Sequence, residues 1–233
     1  MENNHRKQTE KLRALFDSEL AEWSKEYIQQ FRKLMAYYRC AMMEIETKLH
    51  VLNEEFSLQY ERNPINSIKT RLKSPESMQK KMEKKGLPLS VESIENNLCD
   101  VAGVRVVCSF SEDVYSLADA LLVQDDITLL QKKDYIKNPK PNGYRSLHLI
   151  VEVPIFLAKE KKMMKVEIQL RTIAMDFWAS LEHQLRYKKE YLFSAEMGEE
   201  LKNCAELSAE LDERMGRLRS SVPPQTEKAA GDT

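Results

Sequence analysis

Residues 166–172 read V-E-I-Q-L-R-T. Val166, Ile168 and Leu170 alternate with Glu167, Gln169 and Arg171, the period of two that a β-strand imposes by sending successive side chains to opposite faces. An acid, an amide and a guanidinium therefore share one side of a strand whose other side is apolar. An edge strand with one face in water reads the same way, so the pattern leaves open whether that polar face is a site or a solvated surface.

The same alternation recurs on either side. Val104, Val106 and Cys108 stand against Arg105, Val107 and Ser109, and Leu147, Leu149, Val151 and Val153 stand against His148, Ile150 and Glu152. Ile127–Leu130 is a shorter fourth candidate. Helical spacing separates these strands at Ser77–Lys85, Val114–Val123 and Ile173–Lys188. Upstream, apolar residues fall every three or four positions from Leu12 to Phe56, which predicts one long helix or two abutting ones. As a single helix, residues 10–56 would reach roughly 70 Å at ~1.5 Å per residue, more than one small domain can cover. Asn63-Pro64 marks its stop. A second stripe, Leu201, Cys204, Leu207, Leu211, Met215 and Leu218, predicts a C-terminal helix, and Ser220–Thr233 has almost nothing apolar, which predicts a disordered tail. The expected organisation is an N-terminal helical extension over 1–62, an α/β (α+β) domain with a mixed sheet of about five strands over 63–190, a C-terminal helix over 191–219, and a tail over 220–233.

Composition narrows the function classes. The 233 residues carry 36 Lys+Arg against 37 Asp+Glu, and 42% are hydrophobic. No stretch approaches the ~20 apolar residues of a membrane-spanning helix, and Met1–Glu10 has no signal-peptide core, so a soluble, cytoplasmic protein is expected. Four cysteines without a C-x-x-C pair argue against a zinc knuckle or a disulfide framework. Near-zero net charge argues against a general nucleic-acid binder. The charge is uneven, however: residues 69–85 hold seven Lys/Arg and two Glu, and residues 132–145 hold five Lys/Arg and one Asp. Two cationic segments in a neutral chain suggest anionic groups bound at one place. The six glycines are never clustered, which excludes a P-loop and a G-x-G-x-x-G turn. Phosphate, if bound, falls to side-chain cations. Asp100 and Glu167, both at strand positions beside these segments, suit Mg²⁺ shared with substrate phosphates, and Tyr144, after the turn Pro141-Asn142-Gly143, offers a flat face for a base.

R-L-K-S-P-E-S-M-Q-K-K (71–81), D-V-A-G-V-R (100–105), K-D-Y-I-K-N-P-K-P-N-G-Y-R-S-L-H (133–148), V-E-I-Q-L-R-T (166–172) and F-W-A-S-L-E-H (177–183) follow in this order. Together they closely resemble the synthetase domain of RelA/SpoT-type alarmone synthetases, over about residues 63–190. The chain looks like a small, single-domain member, without the hydrolase domain of the long enzymes, and its N-terminal helix and K-N-P-K-P-N-G-Y loop are most similar to the RelP branch. The resemblance implies a nucleotidyltransferase-like fold and transfer of the β,γ-pyrophosphate of ATP to the ribose 3′-hydroxyl of GDP or GTP. By similarity, Arg71 and Arg105 flank the adenine, Lys73, Ser77 and Lys81 hold the ATP phosphates, and Asp100 ligates Mg²⁺. Glu167 helps hold the metal and acts as base, Tyr144 stacks on the guanine, and Lys140, His148 and Gln169 surround the acceptor. Thr70 and Glu76 stand where the long enzymes usually carry Gly and an aromatic residue. A homotetramer is also implied, with no membrane partner and no required nucleic acid, regulation by RNA being left open. Two alternatives remain at this stage: the same transfer to an adenine nucleotide or a tRNA 3′ end, or a non-catalytic nucleotide- or RNA-binding module.

Overall fold

A computed structural model describes residues 2–60, 62–187 and 194–221. Its first element is one continuous helix, α1 (Glu2–Tyr60), resolving the choice between one helix and two. Among its described side chains, only some pack. Leu34, Tyr38, Ala41, Ile45, Leu49 and Leu52 follow helical spacing and are buried in the main core, whereas residues 25, 26 and 28–30 are exposed, and the side chains of Leu12 to Trp23 lie outside the described residues.

The chain then alternates through β1 (Ile65–Leu72), α2 (Pro75–Lys84), α3 (Val91–Asn97), β2 (Ala102–Cys108), α4 (Ser111–Leu122), β3 (Thr128–Asp134), β4 (Leu147–Phe156), β5 (Lys161–Thr172), α5 (Ile173–Tyr187) and α6 (Ala195–Ser221). The five strands form one mixed sheet in the order β1-β2-β5-β4-β3. Only β2 and β5 pair in parallel; the other three pairings are antiparallel. This mixed α/β sheet is the expected fold class, and it makes β5 central, which removes the edge-strand reading of V-E-I-Q-L-R-T. Val104, Val106, Leu149, Val151, Val166, Ile168 and Leu170 on one face are buried against α1, α3 and α4 in a single core. The opposite face is left for Arg105, His148, Glu167, Gln169 and Arg171.

Two elements escaped the sequence reading. In β1 the register shifts between Ile65 and Ser67, so a bulge breaks the period of two, and all of its residues are exposed or half-buried at the sheet edge. The helix α3 has seven residues, too short for a periodic stripe, although Ser90 caps it by accepting from the Ser93 N–H. β3 also extends past Leu130 through Lys132 and Lys133, around a register shift between Leu129 and Gln131. At the other end, Ser220 and Ser221 belong to α6 rather than to a disordered tail; the rest of that expected tail, and residues 188–193, lie outside the described residues. No helix among the described residues is long and apolar enough to cross a membrane.

The helix α6 is docked by polar as well as apolar contacts. Ser208 Oγ donates to the Ala174 carbonyl at 3.1 Å, and Arg219 pairs with Asp113 and Glu112. Asp212 is half-buried at the same seam and its carboxyl lies above its ordinary range: burial raises it, the Thr172 hydroxyl lowers it, Glu213 raises it and the Ser111 hydroxyl lowers it. A folded-state value above the unfolded one adds stability that is complete below the unfolded value and is lost as pH rises through the folded one. Denaturation midpoints of wild type and Asp212→Asn, followed upward from about pH 4, are therefore expected to diverge, wild type losing ground as pH rises. Parallel curves would show that Asp212 does not titrate with folding.

Candidate active site

The parallel pair at the centre of the sheet sets the geometry. Gly103 lies opposite Glu167 and Arg105 opposite Gln169 across β2 and β5, while His148 on β4 lies opposite Gln169 on the other side. Because side chains alternate, these registers bring Arg105, Glu167, Gln169, Arg171 and His148 to one face. The helix α5, which begins where β5 ends, stands over part of it and closes a hollow of about 620 Å³. Arg71, Lys73, Asp100, Arg105, Glu167, Gln169, Arg171 and Tyr144 line this hollow from the sheet side, and Ser180, Glu182 and His183 line it from α5. A second hollow, of about 180 Å³, lies beside it and is lined by Gln131, Lys133, Tyr135, Lys140, His148, Ile150 and Glu167. Glu167 is the residue common to both.

At one end of the larger hollow, Asp100 Oδ2 is gripped by Lys73 Nζ at 2.6 Å and Lys81 Nζ at 2.7 Å. Lys73 comes from the end of β1 and Lys81 from α2, so the helix is what brings the second lysine in. Ser74 caps α2 by accepting from the Ser77 N–H, and its hydroxyl lies 3.0 Å from that of Ser77. Burial works to raise the Asp100 carboxyl, but the hydrogen bonds and charges of the two lysines prevail and hold it below its usual range. Its other oxygen, Oδ1, is buried without a hydrogen-bond partner among the described residues. A charged oxygen left bare in this way is what a hard cation takes up. Glu167 is likewise held low: burial raises it, but His148 and then Gln169 outweigh that, with the Asp100 charge opposing them. Both carboxyls are thus ionised at neutral pH. No group of three or more metal-binding side chains occurs among the described residues, and Mg²⁺ asks for no such cage, since it keeps waters and binds through one or two carboxylates plus phosphates. The residues present fit that ion.

Arg71 and Arg105 lie on adjacent strands, and Arg71 is near enough to act on Arg105. Burial first, then Arg171, lowers the Arg105 guanidinium from its ordinary value, with Asp176 and Tyr144 opposing. Tyr144 sits at the end of a tight turn in which Gly143 N–H donates to the Lys140 carbonyl at 2.8 Å. Gly143 has φ +88°, and a Cβ there would stand 2.5 Å from that of Ala205, so the close approach of α6 to this loop requires glycine. Trp178 Nε1 donates to the Leu201 carbonyl at 2.7 Å, and Tyr144 packs against Trp178, Ala179 and Ala205. The expected residues therefore divide between the two hollows. Tyr144 and Gln169 line the larger one, whereas Lys140 and His148, expected with them, line the smaller. Tyr144 and His148 nevertheless touch, with hydroxyl and Nε2 2.8 Å apart. Lys140 Nζ lies 4.7 Å from the centroids of both the Tyr135 and Tyr144 rings. Ser77 and Lys81 are not among the lining residues, though Lys81 reaches Asp100.

Sequence reading assigned no role to Arg171, Asp176, Lys69, Lys133 or Tyr135. Arg171 was the most accessible of these, because strand alternation alone places it on the face of Glu167 and Gln169. Asp176, in the first turn of α5, pairs with Arg105 at 3.4 Å and Arg171 at 3.3 Å, a meeting of helix and sheet that no local pattern announces.

Residues 70–191 match the family described as "Region found in RelA / SpoT proteins". Over 85% of its length and 94% of the relative's, the chain is 40% identical to the GTP pyrophosphokinase YwaC of Bacillus subtilis. Among solved structures, the small alarmone synthetase 2 of Bacillus subtilis is 40% identical with a TM-score of 0.75, over 82% of this chain and 98% of that one. The small alarmone synthetase 1 of the same organism, bound to its product pppGpp, is 34% identical with a TM-score of 0.75, over 83% and 98% of the two chains.

Proposed function

The chain belongs to the RelA/SpoT family, and from that premise we propose that it is a GTP/GDP pyrophosphokinase, moving the β,γ-pyrophosphate of ATP onto the ribose 3′-hydroxyl of GDP or GTP to give ppGpp or pppGpp and AMP. The observation that carries this reading is the position of Glu167, which meets His148 of the Tyr144–His148 pair on one side and feels the charge of the lysine-bound Asp100 on the other. A group-transfer enzyme needs donor and acceptor side by side with a proton acceptor at the junction. Glu167 is ionised there, with His148 Nδ1 3.4 Å from its Oε1 and Gln169 Nε2 donating to its Oε2 at 3.0 Å.

In this reading Arg71 and Arg105 hold the adenine, and Lys73, Ser77 and Lys81 take the ATP phosphates. The two lysines now on Asp100 are placed to turn toward phosphate, leaving Asp100 with Glu167 to hold Mg²⁺. When bound, the ion polarises phosphoryl oxygens and offsets charge on the transferring group. Glu167 accepts the proton of the 3′-hydroxyl, Tyr144 stacks on the guanine, and Lys140, His148 and Gln169 position the acceptor. The RelP-branch placement, the homotetramer and a cytoplasmic setting belong to the same proposal. Incubating the purified chain with ATP and Mg²⁺ and, in turn, GDP, GTP, ADP and tRNA, then identifying products by chromatography, tests it. Product with the guanine nucleotides alone is expected. Transfer to ADP or tRNA would move the acceptor, and no product with any of them would leave a binding module.

Tyr144→Ala is expected to weaken GDP and GTP roughly 5- to 150-fold, the equivalent of the ~1–3 kcal/mol of base–aromatic stacking, while ATP changes little. Calorimetric titration of each nucleotide checks this; weakened ATP with unchanged GDP would put the other base on the ring. The tetramer is supported by two exposed apolar stripes, Phe177, Leu181 and Leu185 on α5 and Leu207, Leu211, Met215 and Leu218 on α6. Sedimentation at micromolar concentration is expected to give four chains, and a monomer there would remove that part of the proposal.

A further inference from the structure

Arg171 is one of the few charged residues buried among the described residues, 4% exposed, and nothing assigned above uses it. Its environment does not explain it as a stabilising ion pair. The carboxylate beside it, Asp176, is shared with Arg105, and its own Nε is buried with no hydrogen-bond partner among the described residues. A guanidinium so held is expensive to bury and is kept for what its remaining N–H groups do. One terminal nitrogen donates to the Tyr144 hydroxyl oxygen at 2.6 Å and to Gln169 Oε1 at 2.9 Å.

The next contact along the chain is His148 Nε2, 2.8 Å from the Tyr144 hydroxyl, where the imidazole tautomer decides which group donates. With its oxygen already accepting from Arg171, the hydroxyl can give its own proton to that nitrogen. A neutral imidazole accepting at Nε2 carries its proton on Nδ1, and Nδ1 faces Glu167 Oε1 at 3.4 Å. We propose that Arg171 is a positioning residue that acts through the Tyr144 hydroxyl to set the tautomer and orientation of His148, and thereby the N–H aimed at Glu167. The base between the two hollows is thus oriented from inside the larger one. Tyr144 serves two purposes, its ring for stacking and its hydroxyl as the link. This inference rests on the pyrophosphokinase reading only for the role of Glu167; the hydrogen-bond chain stands without it.

The chain has four histidines, so imidazole ¹⁵N NMR of the full-length protein, with His148→Gln to assign its signals, reads the tautomer directly. Spectra are taken at a pH about two units above the ~6.5 ordinary for histidine. His148 is expected as the Nδ1–H form in wild type. Tyr144→Phe, which keeps the ring, and Arg171→Lys, which keeps the charge but loses the fork, should each shift it toward Nε2–H, and the double variant should look like either single one. Turnover should fall roughly ten- to hundred-fold in each single variant, as for loss of a charge-assisted hydrogen bond, with no further fall in the double. An unchanged tautomer in Tyr144→Phe, a ring protonated on both nitrogens in wild type at that pH, or multiplicative losses in the double variant would each overturn the proposal. If Arg171→Lys does not fold, the Tyr144→Phe spectrum decides alone. Should wild type show the expected tautomer but make no alarmone, the functional reading fails and the positioning role stands.

Discussion

Glu167→Gln should yield a folded protein that still binds guanine nucleotide but makes product at least ~10²-fold more slowly, the lower end of what a positioned base contributes. The swap is conservative in volume, and its neighbours along β5, Val166 and Ile168, are fully buried on the other face, so the core is untouched. The amide still accepts from His148, but it cannot take the proton of a ribose hydroxyl or bring negative charge to a metal. It also places an NH₂ group opposite Gln169 Nε2, which now donates to Glu167 at 3.0 Å. Gln169 relieves that clash only by flipping, which would point its NH₂ at Arg171. A modest loss of stability is therefore part of the expected result, and the rate must be compared at a temperature where both proteins are folded. Turnover within a few-fold of wild type in a folded variant would show that Glu167 is neither base nor essential ligand.

Asp100→Asn should abolish most Mg²⁺-dependent turnover, since Lewis-acid stabilisation contributes several kcal/mol, or roughly 10²-fold and more. An amide is a poor partner for a hard divalent cation. The variant also leaves Lys73 and Lys81 without the anion that now holds both, so free lysines are present from the start to engage ATP. ATP affinity measured without Mg²⁺ should consequently hold or improve while turnover collapses. That opposition separates a lost metal ligand from a damaged ATP site, in which both would fall together. Wild-type activity at ordinary Mg²⁺ would exclude Asp100 as a ligand.

How much of this was legible in the sequence follows from the range of the forces involved. The polar face of V-E-I-Q-L-R-T was readable because strand alternation is a local rule, and Val166, Ile168 and Leu170 are fully buried as that rule requires. The long apolar stripe likewise reported α1, whose buried positions keep helical spacing. β1 was hidden because its bulge breaks the period and its edge position asks for few apolar residues. Pairing is not local either: nothing in residues 102–108 says that they run parallel to β5, yet that pairing brings Gly103 opposite Glu167. The candidate residues themselves came from motif resemblance, and their division between two hollows came only with the sheet order. Arg171 shows the boundary well. Its face was predictable from alternation, but its hold on the Tyr144 hydroxyl depends on a loop returning 27 residues away in sequence.

Pyrophosphoryl transfer at the Glu167 junction is tested most directly by following the phosphorus atoms of ATP. ATP labelled separately at the β and γ positions is incubated with the purified chain, Mg²⁺ and GDP, and the products are separated and counted. Both labels should appear together in the guanosine product, with one AMP released for each. A product carrying only the γ label, with ADP released, would make the chain an ordinary phosphoryl transferase, and label left in ATP at every enzyme concentration would mean that it does not catalyse the transfer.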